Sequence, residues 1–245
     1  MCVLALAWRA HPRWRLVVAA NRDEFHARAT APLAPWPEGG VIAGRDLVAG
    51  GTWLAVTRTG GFAALTNLRG FGGPDPAKAS RGALVVDLAT GAAGDAAAVN
   101  PFNAVAIRGG VATFLTNRPR VASHALAPGV HAMSNGPLDP PWPKTRRLAS
   151  LIAAWLETPD AGEDVLFEGL RDRSSPVEAW GDRLPPMAAG GDPVAIFVDD
   201  PVYGTRCSTL VLVDAAGRGT IVERRYDANG AFVGDDRHDF VWPGA

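Results

Sequence analysis

Residues 1–25 read MCVLALAWRAHPRWRLVVAANRDEF, in which two apolar runs flank a short polar turn. The runs are Val3–Trp8 and Leu16–Asn21, and His11-Pro12-Arg13 lies between them. This pattern predicts a β-hairpin, and because each run is apolar throughout, we expect its strands to be buried on both faces. The hairpin brings Asn21-Arg22-Asp23-Glu24-Phe25 beside the start of the first strand, where Cys2 lies.

Cys2 directly follows the initiator methionine. Methionine before so small a residue is normally removed, so the mature chain is expected to begin with a cysteine that carries a thiol and a free α-amine. The amine titrates near ~7.7–8.0 and the thiol near ~8.5, so the amine can take the thiol proton near neutral pH. This predicts an N-terminal nucleophile with its own base. The alternative is that Cys2 is a small apolar residue at the start of a strand.

Composition limits the class of protein. The chain has 245 residues, 47% hydrophobic and 20% charged. A chain of this length buries roughly 70–75% of its unfolded surface, so we expect one domain over residues 1–245. The net charge of −1 gives no electrostatic basis for binding nucleic acid or an anionic membrane.

Cofactor, metal and membrane signals are not found in the sequence. Cys2 and Cys207 form neither a disulfide framework nor a zinc motif, and the five histidines show no metal-ligand spacing. Val3–Trp8 is too short for a signal peptide, and no run of 18 apolar residues predicts a membrane span. We therefore expect a cytoplasmic protein without metal or cofactor, whose oligomeric state the sequence leaves open.

The rest of the chain alternates strand and helix signals. Further strands are predicted at Trp53–Thr57, Phe62–Thr66, Asn103–Arg108, Val111–Thr116, Val194–Val198, Thr209–Val213 and Thr220–Tyr226. Helices are predicted at Ser80–Ala89, after Pro143 and at Ala161–Leu170, and loops at Ala31–Gly40, Gly70–Pro76 and Pro185–Pro193. This order favours an α+β fold in which helices cover the faces of antiparallel sheets.

Charged and aromatic residues near Cys2 are the first candidates for a site. Arg22 beside the thiol would lower its pKa, and a neighbouring carboxylate would hold Arg22 or the α-ammonium in place. An exposed turn with local ion pairs is the alternative. Gly50-Gly51-Thr52-Trp53 precedes a strand, so either its glycines permit close backbone approach with Trp53 as the wall of a pocket, or they only form a turn.

Two asparagines at predicted strand ends are candidate hydrogen-bond donors. Asn67 follows Leu65-Thr66, and Asn135 follows Met133-Ser134. Acyl transfer requires donors aimed at the oxyanion of the tetrahedral intermediate, each contributing ~2.7–4 kcal/mol. Asn117 shows the same pattern, and asparagines at strand ends are mostly turn formers.

Several motifs together carry a family resemblance. They are Met1-Cys2, Asn21-Arg22-Asp23-Glu24-Phe25, Gly44-Arg45-Asp46, Gly50-Gly51-Thr52-Trp53-Leu54, Phe62–Asn67, Ser134-Asn135, Trp142-Pro143-Lys144 and Tyr203–Thr209. The set resembles the NRDE family, named for its Asn-Arg-Asp-Glu motif, which includes transport-and-Golgi-organisation type proteins. The motifs span nearly the whole chain.

The resemblance implies a four-layer αββα sandwich of the N-terminal-nucleophile hydrolase kind, similar to choloylglycine hydrolases and penicillin acylases. It implies Cys2 as nucleophile, with Arg22 and Asp23 as its polarising pair. By the same resemblance Asn67 and Asn135 are oxyanion donors and Arg206 is a further arginine of the site. We also assign Trp53 and Asn21 to substrate binding.

Two functions follow from the resemblance. One is a cysteine amidohydrolase or acyltransferase that acts on a small non-peptide amide or thioester through an acyl-enzyme on Cys2. The other is a non-enzymatic binding or trafficking protein for an amphipathic ligand such as haem, lipid or acyl-CoA. The pairing of Cys2 with two asparagines and two arginines favours the enzyme.

Overall fold

The computed structural model describes residues 2–38, 40–72, 74–136, 142–174 and 195–244, which form two antiparallel sheets and three helices. The first sheet contains β1 (Val3–His11), β2 (Trp14–Phe25), β10 (Gly129–Met133), β11 (Tyr203–Asp214), β12 (Arg218–Tyr226) and β13 (Phe232–Val241). Its spatial order is β10-β1-β2-β11-β12-β13. The predicted hairpin is thus confirmed, and it lies inside the sheet.

The second sheet has seven strands that follow one another in space as in sequence. They are β3 (Thr30–Pro35), β4 (Val41–Asp46), β5 (Leu54–Thr57), β6 (Phe62–Asn67), β7 (Phe102–Arg108), β8 (Val111–Thr116) and β9 (Ala122–Ala125). The hairpins predicted around residues 53–66 and 103–116 are β5-β6 and β7-β8.

Three helices cover the outer faces: α1 (Arg81–Thr90), α2 (Pro143–Leu156) and α3 (Glu163–Leu170). The side chain of Ser80 caps α1 by accepting from the N–H of Gly82, and α2 begins at Pro143, whose fixed φ suits a first helical position. All three helices were predicted from the sequence. No helix within the described ranges is long and apolar enough to span a membrane.

Three apolar clusters show how the layers pack. Leu4, Leu6 and Val18 of the six-stranded sheet pack against side chains of the seven-stranded sheet such as Phe62. Alternate residues of the six-stranded sheet pack on α2 and α3, and the outer face of the seven-stranded sheet packs on α1. Because successive side chains of a strand point to opposite faces, β1 and β2 are buried on both sides, as predicted. The layer order is α1, seven strands, six strands, α2 with α3, which is the expected αββα sandwich.

Two predictions about secondary structure were wrong. The segment 31–40 was expected to be a loop, but β3 forms there; Pro32 and Pro35 are tolerated because β3 is an edge strand. A strand was expected at Val194–Val198, but residues 195–198 are buried without strand structure, and Val194 lies outside the described residues. The predicted loop Pro185–Pro193 also lies outside them.

Candidate active site

The strand register places Cys2 between two polar residues of the predicted site. Val3 pairs with Asn21 and Leu4 pairs with Met133. Continued to Cys2, these registers put Arg22 opposite Cys2 on β2, and Asn135 opposite it beyond the end of β10. Pleated antiparallel strands keep opposite residues about 4.5–5.5 Å apart, so the three residues form one row at this end of the sheet.

Ser134 fixes the backbone of Cys2. Its Oγ donates to the carbonyl oxygen of Cys2 at 2.7 Å, and its own carbonyl accepts from Thr66 Oγ1 at 2.7 Å. Thr66 belongs to β6, so Ser134 joins the Cys2 end of the six-stranded sheet to the other sheet. The site therefore lies where the ends of both sheets meet.

Alternation along the strands shows which way Cys2 faces. Leu4 and Leu6 on β1 point between the sheets, as do Val18 and Ala20 on β2. By the same alternation Cys2 and Arg22 face the space between the sheets. Cys207 pairs with Arg22 from β11, so the two cysteines flank the same arginine.

Cys2 is partly exposed as a residue, but its thiol is desolvated, and its surroundings do not favour the thiolate as predicted. Burial raises the pKa of Cys2 and the carboxylate of Asp23 raises it further, while the main-chain N–H of Asp23 and the charge of Arg22 lower it. Arg22 thus lowers the pKa of the thiol as expected, but desolvation is the larger effect and the net pKa is raised, so the expectation that the surroundings favour the thiolate is corrected. With Met1 attached, the nitrogen of Cys2 is a peptide nitrogen and supplies no base. Met1 lies outside the described residues, and its removal stays a prediction.

Asp23 is buried and interacts with Lys144. Its Oδ1 accepts from Thr205 Oγ1 at 2.7 Å, and its carbonyl accepts from Tyr203 Oη at 2.8 Å. Burial raises the pKa of the Asp23 carboxyl, whereas the positive charge of the N-terminus, the charge of Lys144 and the Thr205 hydrogen bond lower it. Lys144 is fully buried in the first turn of α2. Asp23 is thus a buried carboxyl group on β2, on the helix side of the six-stranded sheet, within electrostatic range of Lys144.

Arg22 and Arg206 are neighbours with different contacts. Arg22 Nη2 lies 3.8 Å from Glu24 Oε2, and its Nη1 donates to Thr30 Oγ1 at 3.3 Å. Arg206 lies at a bulge of β11, and its Nη1 donates to the carbonyls of Phe25, His26 and Arg28 at 2.9–3.2 Å. Arg206 therefore holds the connection that follows β2, while Arg22 lies in the Cys2 row.

Asn67 and Asn135 come together at the sheet ends. Asn135 is buried and its Nδ2 donates to the carbonyl of Asn67 at 2.6 Å, while Asn67 itself is exposed. The competing Asn117 is occupied elsewhere, since its Nδ2 donates to main-chain carbonyls and its Oδ1 accepts from Phe102 N. The structure thus brings the side chain of Asn135 and the main-chain carbonyl of Asn67 to the Cys2 end. The Asn67 side chain alternates with Thr66 and lies with Leu65 on the outer face of the seven-stranded sheet, so only Asn135 has an amide N–H on the Cys2 side.

The two predicted substrate-binding residues lie on different sides of the sheet. Trp53 packs against the core between the sheets, on the same side as Cys2. Asn21 faces the helices: its Nδ2 donates to the carbonyls of Leu170 and Ile196, and its Oδ1 accepts from Ser208 Oγ. These bonds use its amide to hold α3 and the 195–198 segment.

The Gly50-Gly51 pair forms a close packing contact. Gly50 has φ +75° in the turn before β5. A Cβ at Gly51 would lie 2.3 Å from the carbonyl carbon of Gly82, so α1 rests directly on this backbone. The predicted close approach is therefore to α1, and it fixes where Arg81 begins that helix.

Metal binding has no support within the described ranges, where no group of three histidine, cysteine or acidic side chains is arranged to hold an ion. A different buried pair is present. Glu223 is buried, its Oε1 accepts from Leu33 N at 2.9 Å, and its carboxyl is hydrogen-bonded to the Cys207 thiol. Burial raises the pKa of both groups.

Lys144, Arg81 and Ser134 contribute to the site but were not predicted to do so, although Lys144 and Ser134 belong to the motifs Trp142-Pro143-Lys144 and Ser134-Asn135. One signal was available for the two cations. Lys144 and Arg81 each stand in the first turn of a helix, where the helix dipole disfavours positive charge. A cation in that position needs another explanation, and for Lys144 it is the carboxylate of Asp23.

The chain is similar to animal proteins over most of its length and, more distantly, to solved structures. A "Transport and Golgi organization protein 2 homolog" of Homo sapiens is 32% identical over 261 residues, covering 91% of this chain and 92% of that protein. The Mus musculus protein "Transport and Golgi organization 2 homolog" is 31% identical over 260 residues with the same coverage. A solved structure titled "Caenorhabditis elegans N-acylethanolamine-hydrolyzing acid amidase (NAAA) ortholog" has a TM-score of 0.49 and 9% identity, covering 86% of this chain and 92% of that one.

The family model described as "Transport and Golgi organisation 2" matches residues 1–228. This match includes every residue of the candidate site and confirms the resemblance predicted from the Asn-Arg-Asp-Glu motif. The chain belongs to the Transport and Golgi organisation 2 family.

Proposed function

We propose that the protein is an N-terminal cysteine amidohydrolase or acyltransferase that acts on a small non-peptide amide or thioester. One observation carries this proposal: the registers of β1 with β2 and β10, continued by one or two residues, set Arg22 and Asn135 opposite Cys2, whose carbonyl accepts from Ser134 Oγ. A nucleophile, a cation and an amide donor within one row are the groups that acyl transfer requires.

The reaction begins when the free α-amine of Cys2 takes the thiol proton. The sulfur attacks the carbonyl carbon of the substrate, and Asn135 donates to the oxyanion that forms. The C–N or C–S bond then breaks, and the α-ammonium returns its proton to the leaving group. Water or a second nucleophile attacks the acyl-enzyme and releases the acid or the transferred acyl product.

Asp23 and Arg22 prepare the nucleophile in this scheme. The carboxylate of Asp23 stabilises the ammonium form of the Cys2 amine, and Arg22 stabilises the thiolate. Two free cysteines suit a reducing compartment, so we place the reaction in the cytoplasm.

The test is selective labelling of Cys2. In protein whose intact mass shows that Met1 is removed, iodoacetamide near neutral pH is expected to label Cys2 and leave the buried Cys207 unlabelled. Activated acyl esters should form an adduct on Cys2 in the parent and in the control Cys207→Ser, but not in Cys2→Ser, since a serine hydroxyl ionises far less readily. A retained Met1, or equal labelling of both cysteines, contradicts the enzyme.

A second function is favoured by one feature, a cleft of about 450 Å³ beside α2. Leu6, Phe114, Leu126 and Met133 contribute apolar surface, with His124, His131 and Arg146 among them. Such a lining suits a carrier of an amphipathic ligand such as haem, lipid or acyl-CoA. If the protein is a carrier, Ala149→Trp, which fills the cleft, should abolish binding of haem or palmitoyl-CoA. Cys2→Ala should leave this binding unchanged, and no covalent adduct should form in the parent.

A further inference from the structure

Arg81 reaches the candidate site from the layer opposite Cys2. It is the first residue of α1, and its Nη1 donates to the carbonyl of Pro101 at 3.1 Å. The same carbonyl accepts the N–H of Leu68 at 2.9 Å, so the guanidinium lies at the end of β6, next to Asn67. Asn67 is in turn bound by Asn135, in the Cys2 row. Arg81 therefore stands across the gap between the sheet ends from the nucleophile.

The charge of Arg81 is not balanced by a partner. Among the described residues no carboxylate lies within 4.0 Å of its side-chain nitrogens, and the Pro101 carbonyl is its hydrogen-bond acceptor. Burial lowers the pKa of Arg81, while Cys2 and Glu24 act to raise it. The guanidinium is thus partly desolvated and within electrostatic range of the thiol.

The other charges near the site leave positive charge in excess. Arg28 is tightly paired with Asp46, at 2.8 Å. Glu24 lies 3.8 Å from both Arg22 and Arg28. With Arg206, Lys144 and Asp23 included, five cations among these described residues face three carboxyl groups. Helix stability does not explain why an arginine occupies the first position of α1, because the helix dipole disfavours a cation there.

We propose that Arg81 binds a negatively charged group of the substrate, a carboxylate or a phosphate, next to the carbonyl that Cys2 attacks. The inference rests on the proposed function and narrows its substrates to acidic amides or thioesters. A guanidinium suits this task because its N–H groups match the oxygens of either anion in pairs.

The test compares two reagents that differ by one charge. Iodoacetate and iodoacetamide both alkylate a thiolate by forming a sulfur–carbon bond with loss of iodide. Their rate ratio at Cys2 cancels any effect of Arg81 on the thiolate fraction. Relative to a peptide with an N-terminal cysteine, we expect the parent to favour iodoacetate by about tenfold, which corresponds to about 1.4 kcal/mol, and Arg81→Met to lose this preference. The preference should also fall with added salt.

Arg58→Met is the matched control, because Arg58 is exposed in the β5-β6 hairpin, at the other end of β6 from Asn67. It removes the same charge and should keep the parent ratio, and Arg81→Lys should keep part of it. If both reagents slow equally in Arg81→Met, Arg81 acts only on the thiolate and the inference is wrong. If Arg81→Met does not fold, the test rests on the parent protein. An iodoacetate-to-iodoacetamide rate ratio in the parent that is no higher than in the peptide overturns the inference.

The two anions are separated by protection. Propionate and methyl phosphate are each tested for slowing iodoacetamide at Cys2, in the parent and in Arg81→Met. If only propionate protects the parent, the bound group is a carboxylate. If only methyl phosphate protects it, the bound group is a phosphate. If neither protects it, the inference is contradicted. A Cys2 that iodoacetamide never labels would instead contradict the proposed enzyme, so the two failures are distinct.

Discussion

Replacement of Lys144 by methionine tests the buried charge pair under the Cys2 strand. Lys144 is fully buried, and its charge acts on the carboxyl group of Asp23, whose pKa burial raises. Methionine has nearly the same shape, so Lys144→Met removes the charge and leaves packing almost intact. Lys144 acts on Asp23 through space, together with the positive N-terminus and Arg22, so loss of its charge is expected to cost about 1–3 kcal/mol.

The magnitude translates into a clear thermal effect. For a domain of this size each kcal/mol corresponds to about 2–4 °C, so the melting temperature of Lys144→Met should fall by about 2–12 °C. The sign of its pH dependence is also fixed. An acid whose pKa is raised in the folded state binds more protons there than when unfolded, so stability falls as pH rises. Loss of Lys144 raises the pKa of Asp23 further, so the deficit should grow between about pH 4 and pH 8.

The assay is urea unfolding of a double-mutant cycle, with the free energy of unfolding measured for the parent, Lys144→Met, Asp23→Asn and the double variant. The double variant should recover about 2 kcal/mol relative to additive behaviour. Lys78→Met, at the only other lysine, is the control and should stay within about 0.5 kcal/mol of the parent. Additive effects, or a Lys144→Met variant as stable as the control, would refute the charge pair.

Two further predictions concern Glu223 and the asparagines. Burial raises the pKa of Glu223, so the folded state keeps this proton to higher pH than the unfolded state, and stability falls as pH rises above the unfolded pKa. Glu223→Gln removes this titration, so its melting temperature should depend less on pH between about pH 4 and pH 8. A slope equal to that of the parent contradicts this prediction. Asn135→Ala should lower turnover of an acyl ester by about 10²–10³-fold, whereas Asn67→Ala, whose side chain lies on the outer face, should change turnover little. Normal turnover per folded molecule in Asn135→Ala would show that Asn135 only shapes the turn.

Local patterns in the sequence determined most of the elements. The two apolar runs of residues 3–21 could only be buried on both faces, and Pro143 followed by helical periodicity marked α2. The motif set also identified the family, and the hairpin turn required Arg22 to lie beside Cys2. Weaker signals misled: β3 carries two prolines, and its strand exists because pairing with β4 at a sheet edge supplies its hydrogen bonds.

Only the tertiary structure decided which residues share the site. The contacts of Ser134 with Cys2 and of Asn135 with Asn67 join residues 132 and 68 positions apart, and no local pattern specifies such pairs. Burial depends on the whole fold in the same way. Burial brings Lys144 within electrostatic range of Asp23. Burial also raises the pKa of the Cys2 thiol more than Arg22 lowers it, because desolvation depends on everything packed around a group and not on its neighbours in sequence.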